Sequence, residues 1–256
     1  MFIPLHDANS LKHIKLQYVT LAIIAANVIV WILTTLDAES FGTAAVLGFG
    51  FIPAVVHDTA ELAPQFVYLP EEFSYVTYSF LHGDFWHLAG NMLFLWVFGD
   101  NVEDAFGHVR YALFYVICAA AGAFAHGLLL WESESPLIGA SGAVAGVVAA
   151  YLMLHPHVKV WVLALARIPI RLPAWIPLAF WVAFQFVMVA ILPEDQVSWA
   201  AHVGGIVAGA LLVLVLRRRG VPLFDRVIVT PDAVETAEAV IRPAPKPDAP
   251  AHRWGR

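Results

Sequence analysis

Charge is scarce in this chain: Asp, Glu, Lys and Arg together supply 13% of its 256 residues, about half the share usual in a soluble domain. With 60% of the residues hydrophobic and a mean hydropathy of +0.74, that scarcity excludes a water-soluble globule and leaves a polytopic membrane protein. Cysteine is nearly absent. Cys118 alone can form neither an intrachain disulfide nor a thiolate metal centre, and it reads as a small core residue. An internal repeat is missing as well, which argues against a transporter built from inverted halves. No metal, cofactor or nucleic-acid partner is expected.

Long apolar runs are what the chain does have. Six segments, near 17–36, 85–106, 111–130, 140–154, 174–192 and 199–216, reach or approach the roughly 20 residues that a spanning helix needs. The first is longer than the 7 to 15 residues, roughly, of a signal-peptide core and has no small-residue cleavage site, so it reads as an uncleaved helix. Basic residues are missing from every second connection. All 14 Lys and Arg fall before the first segment, between the second and third, between the fourth and fifth, or after the sixth. The opposite side instead holds acids such as Asp37, Asp58, Glu71, Asp84, Glu132 and Glu194. Positive residues are retained in the cytoplasm, so the expectation is an all-α, six-crossing membrane protein with both termini cytoplasmic. The basic face suits anionic lipid.

Three parts follow: a cytoplasmic segment over 1–16, a membrane domain over 17–218, and a tail over 219–256. The domain includes a long outer loop at 37–84, whose apolar stretch 41–56 is broken at Pro53 and is expected to lie in the membrane interface. Six prolines make the tail read as disordered, apart from a short helix over 233–241.

Within this apolar frame a few polar residues stand out. Ser141, in Gly139-Ala140-Ser141-Gly142, heads the fourth segment, and His202 heads the sixth. Both segments begin on the outer side, as does the second, whose His87 and Asn91 are spaced i, i+4 on one face. Four polar residues from three helices therefore share one level. The fourth segment spans only about 22 Å at 1.5 Å per residue, short of a hydrocarbon core of roughly 30 Å. Ser141 is thus expected below the outer surface, under a water-filled cavity. Small residues, Gly142-x-x-x-Gly146 and Ala201-x-x-x-Gly205-x-x-x-Gly209, allow the two helices to approach closely. Ser141 is then a candidate nucleophile, His202 its base, and the Ser141 N–H with His87 and Asn91 a candidate oxyanion site. The acids Asp100, Glu103 and Asp104 lie about 20 Å or more beyond His87, so a Ser–His dyad is expected rather than a triad.

His82-Gly-Asp-Phe-Trp-His87-Leu-Ala-Gly-Asn91, then Gly139-Ala-Ser141-Gly142, then Ala201-His202-Val-Gly204-Gly205, in this order, resemble the rhomboid intramembrane serine proteases over about residues 75–216. The resemblance implies a rhomboid-like six-helix bundle that cleaves transmembrane protein substrates near small residues, in a cell membrane, with the site opening to the outer face. It implies Ser141 as nucleophile, His202 as base, His87 and Asn91 as oxyanion stabilisers, and His82, Gly139, Gly142, Gly205 and Glu103 as supporting motif residues. Two features depart from it. The first outer loop lacks the Trp-Arg pair of many relatives, and Ala145 stands where relatives usually carry an aromatic against the histidine. Trp199 and Tyr151 are the candidates to replace that ring. Phe180, Trp181 and Phe184 are candidate gate residues for a substrate entering between the second and fifth helices. The rival reading is a rhomboid-like binder of membrane proteins without proteolysis.

Overall fold

The computed structural model describes residues 2–164, 167–192, 197–230 and 233–236. It is built from helices, with a small sheet added. Strand β1 (Phe2–Asp7) precedes helix α1 (Tyr18–Leu36). Short helices α2 (Thr43–Phe49), α3 (Pro53–Val56) and α4 (Ser74–Thr77) punctuate the next 48 residues, roughly. The main bundle continues with α5 (Phe85–Phe106), α6 (His108–Leu129) and α7 (Ser141–Leu154). After strands β2 (Lys159–Ala164) and β3 (Ile168–Pro173) come α8 (Trp175–Ile191) and α9 (Trp199–Leu216), then strands β4 (Val227–Thr230) and β5 (Ala233–Thr236).

Helices α1, α5, α6, α7, α8 and α9 coincide with the six apolar segments. Among the described residues, α1, α6 and α9 are long and apolar enough to cross a membrane by themselves. The 14-residue α7 and 17-residue α8 are apolar but shorter, and α5 carries Asp100, Glu103 and Asp104 in its last two turns.

Helix α7 is the centre of the molecule: every residue from Gly142 to Tyr151 is buried. Its partner is α9, and contact is at the backbone. A Cβ on Gly205 would collide with the Gly142 carbonyl, and one on Gly209 with that of Gly146. Such approach gives dispersion contacts along the whole seam, the main attraction available between helices in lipid. Cys118 of α6, fully buried, also closes on Gly146, where a Cβ would lie 2.5 Å from its Sγ.

The first loop is stitched into this bundle. Phe51 and Leu137 exchange backbone hydrogen bonds, Ala54 N–H donates to the Ser133 carbonyl, and Tyr78 Oη donates to the Ala119 carbonyl of α6 at 2.9 Å. At the far end of α5, buried Glu103 accepts from the Val19 and Thr20 N–H groups at 3.0 and 2.8 Å, satisfying the open N-terminus of α1. Asp104 does the same for the N–H groups of Lys12, His13 and Ile14.

Two elements correct the sequence reading. The connection between α7 and α8 is a hairpin, β2 with β3, and β1 adds to it in antiparallel order β1-β2-β3. Val160 and Val162 face inward while Lys159 and Trp161 face out, the period of two that a half-buried strand requires. The helix expected over 233–241 is replaced at Ala233–Thr236 by strand β5, paired with β4. Val227-Ile-Val-Thr230 is β-branched throughout and supplies a ladder partner that a helix would leave unused. The remainder of the tail, 237–256, and Glu194 and Asp195 lie outside the described residues.

Candidate active site

Asp84 starts the site. Its side chain accepts from the N–H groups of Trp86 and His87 at 2.7 and 2.9 Å, an N-cap that fixes the first turn of α5. His87 and Asn91 follow on one face. The approach to α7 is fixed by the loop: Phe51 pairs with Leu137, and Gly139 N–H donates to the Tyr78 carbonyl at 3.0 Å. Gly139 then turns at φ +117° with its Cα against His87; a Cβ there would lie 2.5 Å from His87 Nε2. That combination of dihedral and space admits only glycine. Ser141 is the first residue of α7, and no acceptor among the described residues takes its N–H. The helix therefore presents an open, partly positive end at the serine.

His82 ties the two elements together. Its Nε2 lies 3.0 Å from Asn91 Nδ2 and 3.5 Å from the Ala140 N–H. It accepts from both, so its proton sits on Nδ1. The His82 and His87 rings meet edge to face, with centroids 5.0 Å apart.

His202 comes from α9, one turn below the N-cap Ser198 that accepts from Ala201 N–H at 3.2 Å. The Gly142–Gly205 seam sets α7 and α9 side by side at this level. Ser141, His202, His87 and Asn91 line one cavity of about 1280 Å3. It is walled by Phe94 of α5, His126 of α6, Val144 of α7 and Trp181 of α8. Ser141 is half-buried, His202 buried.

The space beside Ala145 is occupied. Ala145, Ala149 and Ile206 form a buried cluster on which Trp181 and Val182 of α8 pack. Trp181 approaches the His202 ring at 6.1 Å, and Trp199 meets it edge-on at 5.9 Å. Tyr151 does not take part: it packs on Phe98 and donates to Asp7 at 2.7 Å, at the other end of α7. Of the suggested gate residues, Phe180 and Phe184 are exposed and Trp181 lines the cavity, touching Phe94 of α5 at 6.0 Å between ring centroids.

One contact escaped sequence reasoning. His202 Nδ1 lies 2.8 Å from Gln185 Oε1, a buried amide on α8. A single Gln in an apolar run has no pattern to flag it, beyond the cost of placing an amide there. Glu103 lies at the opposite end of α5 and meets none of these residues; its partners are α1 and His108.

Comparison with known proteins agrees with this architecture. The Rhomboid domain family matches residues 70–219. The chain is 32% identical over 151 residues to Rhomboid protein 1, mitochondrial, of Saccharomyces cerevisiae, covering 56% of this chain and 42% of that one. It is 32% identical over 149 residues to RHOMBOID-like protein 5 of Arabidopsis thaliana (58% and 45%) and 29% over 152 residues to human Rhomboid-related protein 3 (56% and 36%). It spans less than half the length of these relatives. With the family match extending from the end of the first loop through α9, and helices α5 to α9 and the cavity residues falling inside it, this chain is a membrane protein of the rhomboid family.

Proposed function

We propose that the chain is an intramembrane serine endopeptidase, hydrolysing peptide bonds in or near transmembrane segments of protein substrates through Ser141 and His202. The observation that carries this reading is the single cavity onto which Ser141, His202, His87 and Asn91 all open. Ser141 Oγ attacks the substrate carbonyl while His202 Nε2 takes its proton and returns it to the leaving amine. The developing oxyanion is met by the open Ser141 N–H and by the second proton of the Asn91 amide, whose first is held by His82. His87 adds a third donor. At about 1280 Å3 the cavity has room for many waters at ~30 Å3 each, enough to hydrolyse the acyl-enzyme.

The same reading places six crossings in a cell membrane, with both termini cytoplasmic, the 37–84 loop at the outer interface and the cavity open outward. Substrate enters laterally between α5 and α8. The parts proposed are the cytoplasmic segment 1–16, the membrane domain 17–218 and the tail 219–256. A serine-directed fluorophosphonate applied in detergent tests the chemistry: wild type is expected to label, Ser141→Ala not at all, and His202→Ala at least ~100-fold more slowly. Equal labelling of all three would sink the protease reading and favour a rhomboid-like binder of membrane proteins.

A further inference from the structure

We propose that Gln185 is the positioning residue for His202, holding the base of the Ser141–His202 pair in its working orientation and tautomer. The inference rests on the protease reading and adds a positioning residue to it. Gln185 is 1% exposed and His202 8%. A buried amide is costly unless both of its ends are paired, and both ends here have assigned partners. Gln185 Nε2 donates to the Trp181 carbonyl one turn earlier, at 3.0 Å. That bond fixes which end of the amide faces α9: Oε1, 2.8 Å from His202 Nδ1. An amide oxygen only accepts, so His202 carries its proton on Nδ1 and keeps the Nε2 lone pair free. That is the only neutral tautomer able to take a proton from Ser141.

The groups around the pair leave this role to Gln185. The cavity carboxylates Asp84 and Glu132 are exposed, and His202 bonds to neither. The titratable side chains that share the cavity wall are His87 on α5 and His126 on α6. His126 is engaged with Ser198 at 2.7 Å. Trp181 and Trp199 confine the ring's plane but offer no acceptor to Nδ1. Because Gln185 is on α8, the orientation of the base depends on how α8 is seated. A substrate that displaces α8 on entry leaves the imidazole unoriented until the helix returns.

The test uses the full chain in liposomes with a transmembrane peptide substrate, comparing wild type, Gln185→Leu and Gln185→Glu, with Ser141→Ala as blank. Gln185→Leu keeps the size and loses the acceptor; Gln185→Glu keeps the acceptor. Expected are a fall in kcat and in fluorophosphonate labelling rate of about 10- to 100-fold for Leu, KM within about twofold, and recovery of most of that loss with Glu. A residue that only packs gives the reverse order, since lipid-facing helices tolerate Leu better than Glu. That order, or a wild-type kcat for Gln185→Leu, overturns the proposal. The 15N spectrum of histidine-labelled protein decides independently of turnover. A protonated Nδ1 at His202 in wild type, becoming mixed in Gln185→Leu, supports the assignment, and an unprotonated Nδ1 in wild type defeats it. Should wild type label no faster than Ser141→Ala, the protease reading fails while the tautomer result still stands or falls by itself.

Discussion

At position 139 the chain has no room for a side chain and no ordinary dihedral to offer one. The residue sits at φ +117°, and a methyl would strike the His87 ring. Gly139→Ala is therefore expected to cost about 1–3 kcal/mol in local strain and to push His87 away from the cavity. Activity on a transmembrane peptide should drop by ~10-fold or more, with the protein still folded by circular dichroism; unchanged kcat would show that His87 is dispensable. Asn91→Ala removes one oxyanion donor and leaves His82 Nε2 with the Ala140 N–H at 3.5 Å, so kcat is expected to fall about 100-fold with little change in KM. Ser141, His202, His87 and Asn91 stood out in the sequence because Ser, His and Asn are costly in an apolar run and fall at matched ends of three segments, whereas Gly139 came only with the family motif. Gln185 is equally polar but lies inside its segment, away from that level in sequence, and only the packing of α8 on α9 brings it to His202. Trp181 was read as a gate residue, one of three aromatics on the fifth segment; its packing over Ala145 depends on helix rotation, which periodicity in a uniformly apolar helix does not define.

Helices of this length were legible from apolar runs, but what secures their ends was not. α9 begins where Ser198 accepts from Ala201 N–H and bonds to His126 of α6, so one hydroxyl caps the helix that carries His202 and ties it to its neighbour. Ser198→Ala should lower stability by about 1–2 kcal/mol, seen as a reduced unfolding midpoint in detergent, and should slow turnover a few-fold through the shift of His202. An unchanged midpoint would mean that the α7–α9 glycine seam alone fixes α9. The β1-β2-β3 sheet escaped for a different reason. Strands of six residues that include Pro4, Pro169 and Pro173 have weak propensity of their own, and their pairing joins the chain's start to a connection about 160 residues later. Non-local pairing of that kind leaves little trace in any one window.

That sheet changes how the molecule is tied together. Asp7, at the end of β1, is 4% exposed and receives hydrogen bonds from Tyr151 Oη of α7 at 2.7 Å and from Asn101 Nδ2 of α5 at 2.9 Å. The N-terminal segment is thereby joined to the end of α7 opposite Ser141. Burial pushes the Asp7 carboxyl up from 3.8 to about 7, with the neighbouring Asp100 carboxylate adding to the effect. The folded protein therefore holds this proton up to about pH 7, whereas the unfolded chain releases it near 3.8. Between those values the native state binds more protons, so Asp7's contribution to stability falls as pH rises, by about 4 kcal/mol across the window. His155, at the end of α7, works in the opposite sense. Its burial, then the charge of Lys12, lowers it to about 4, so its contribution grows as pH rises from about 4 to 6.5. The wild-type slope alone mixes the two, and the informative quantity is the difference between wild type and Asp7→Asn. The Asn side chain keeps an oxygen for Tyr151 and Asn101 and carries no charge. Its unfolding midpoint should stand above that of wild type by a margin that widens by several degrees between pH 4.5 and pH 8. If instead the two midpoints run parallel from pH 4.5 to 8, Asp7 is ionised throughout and its two hydrogen bonds outweigh its burial.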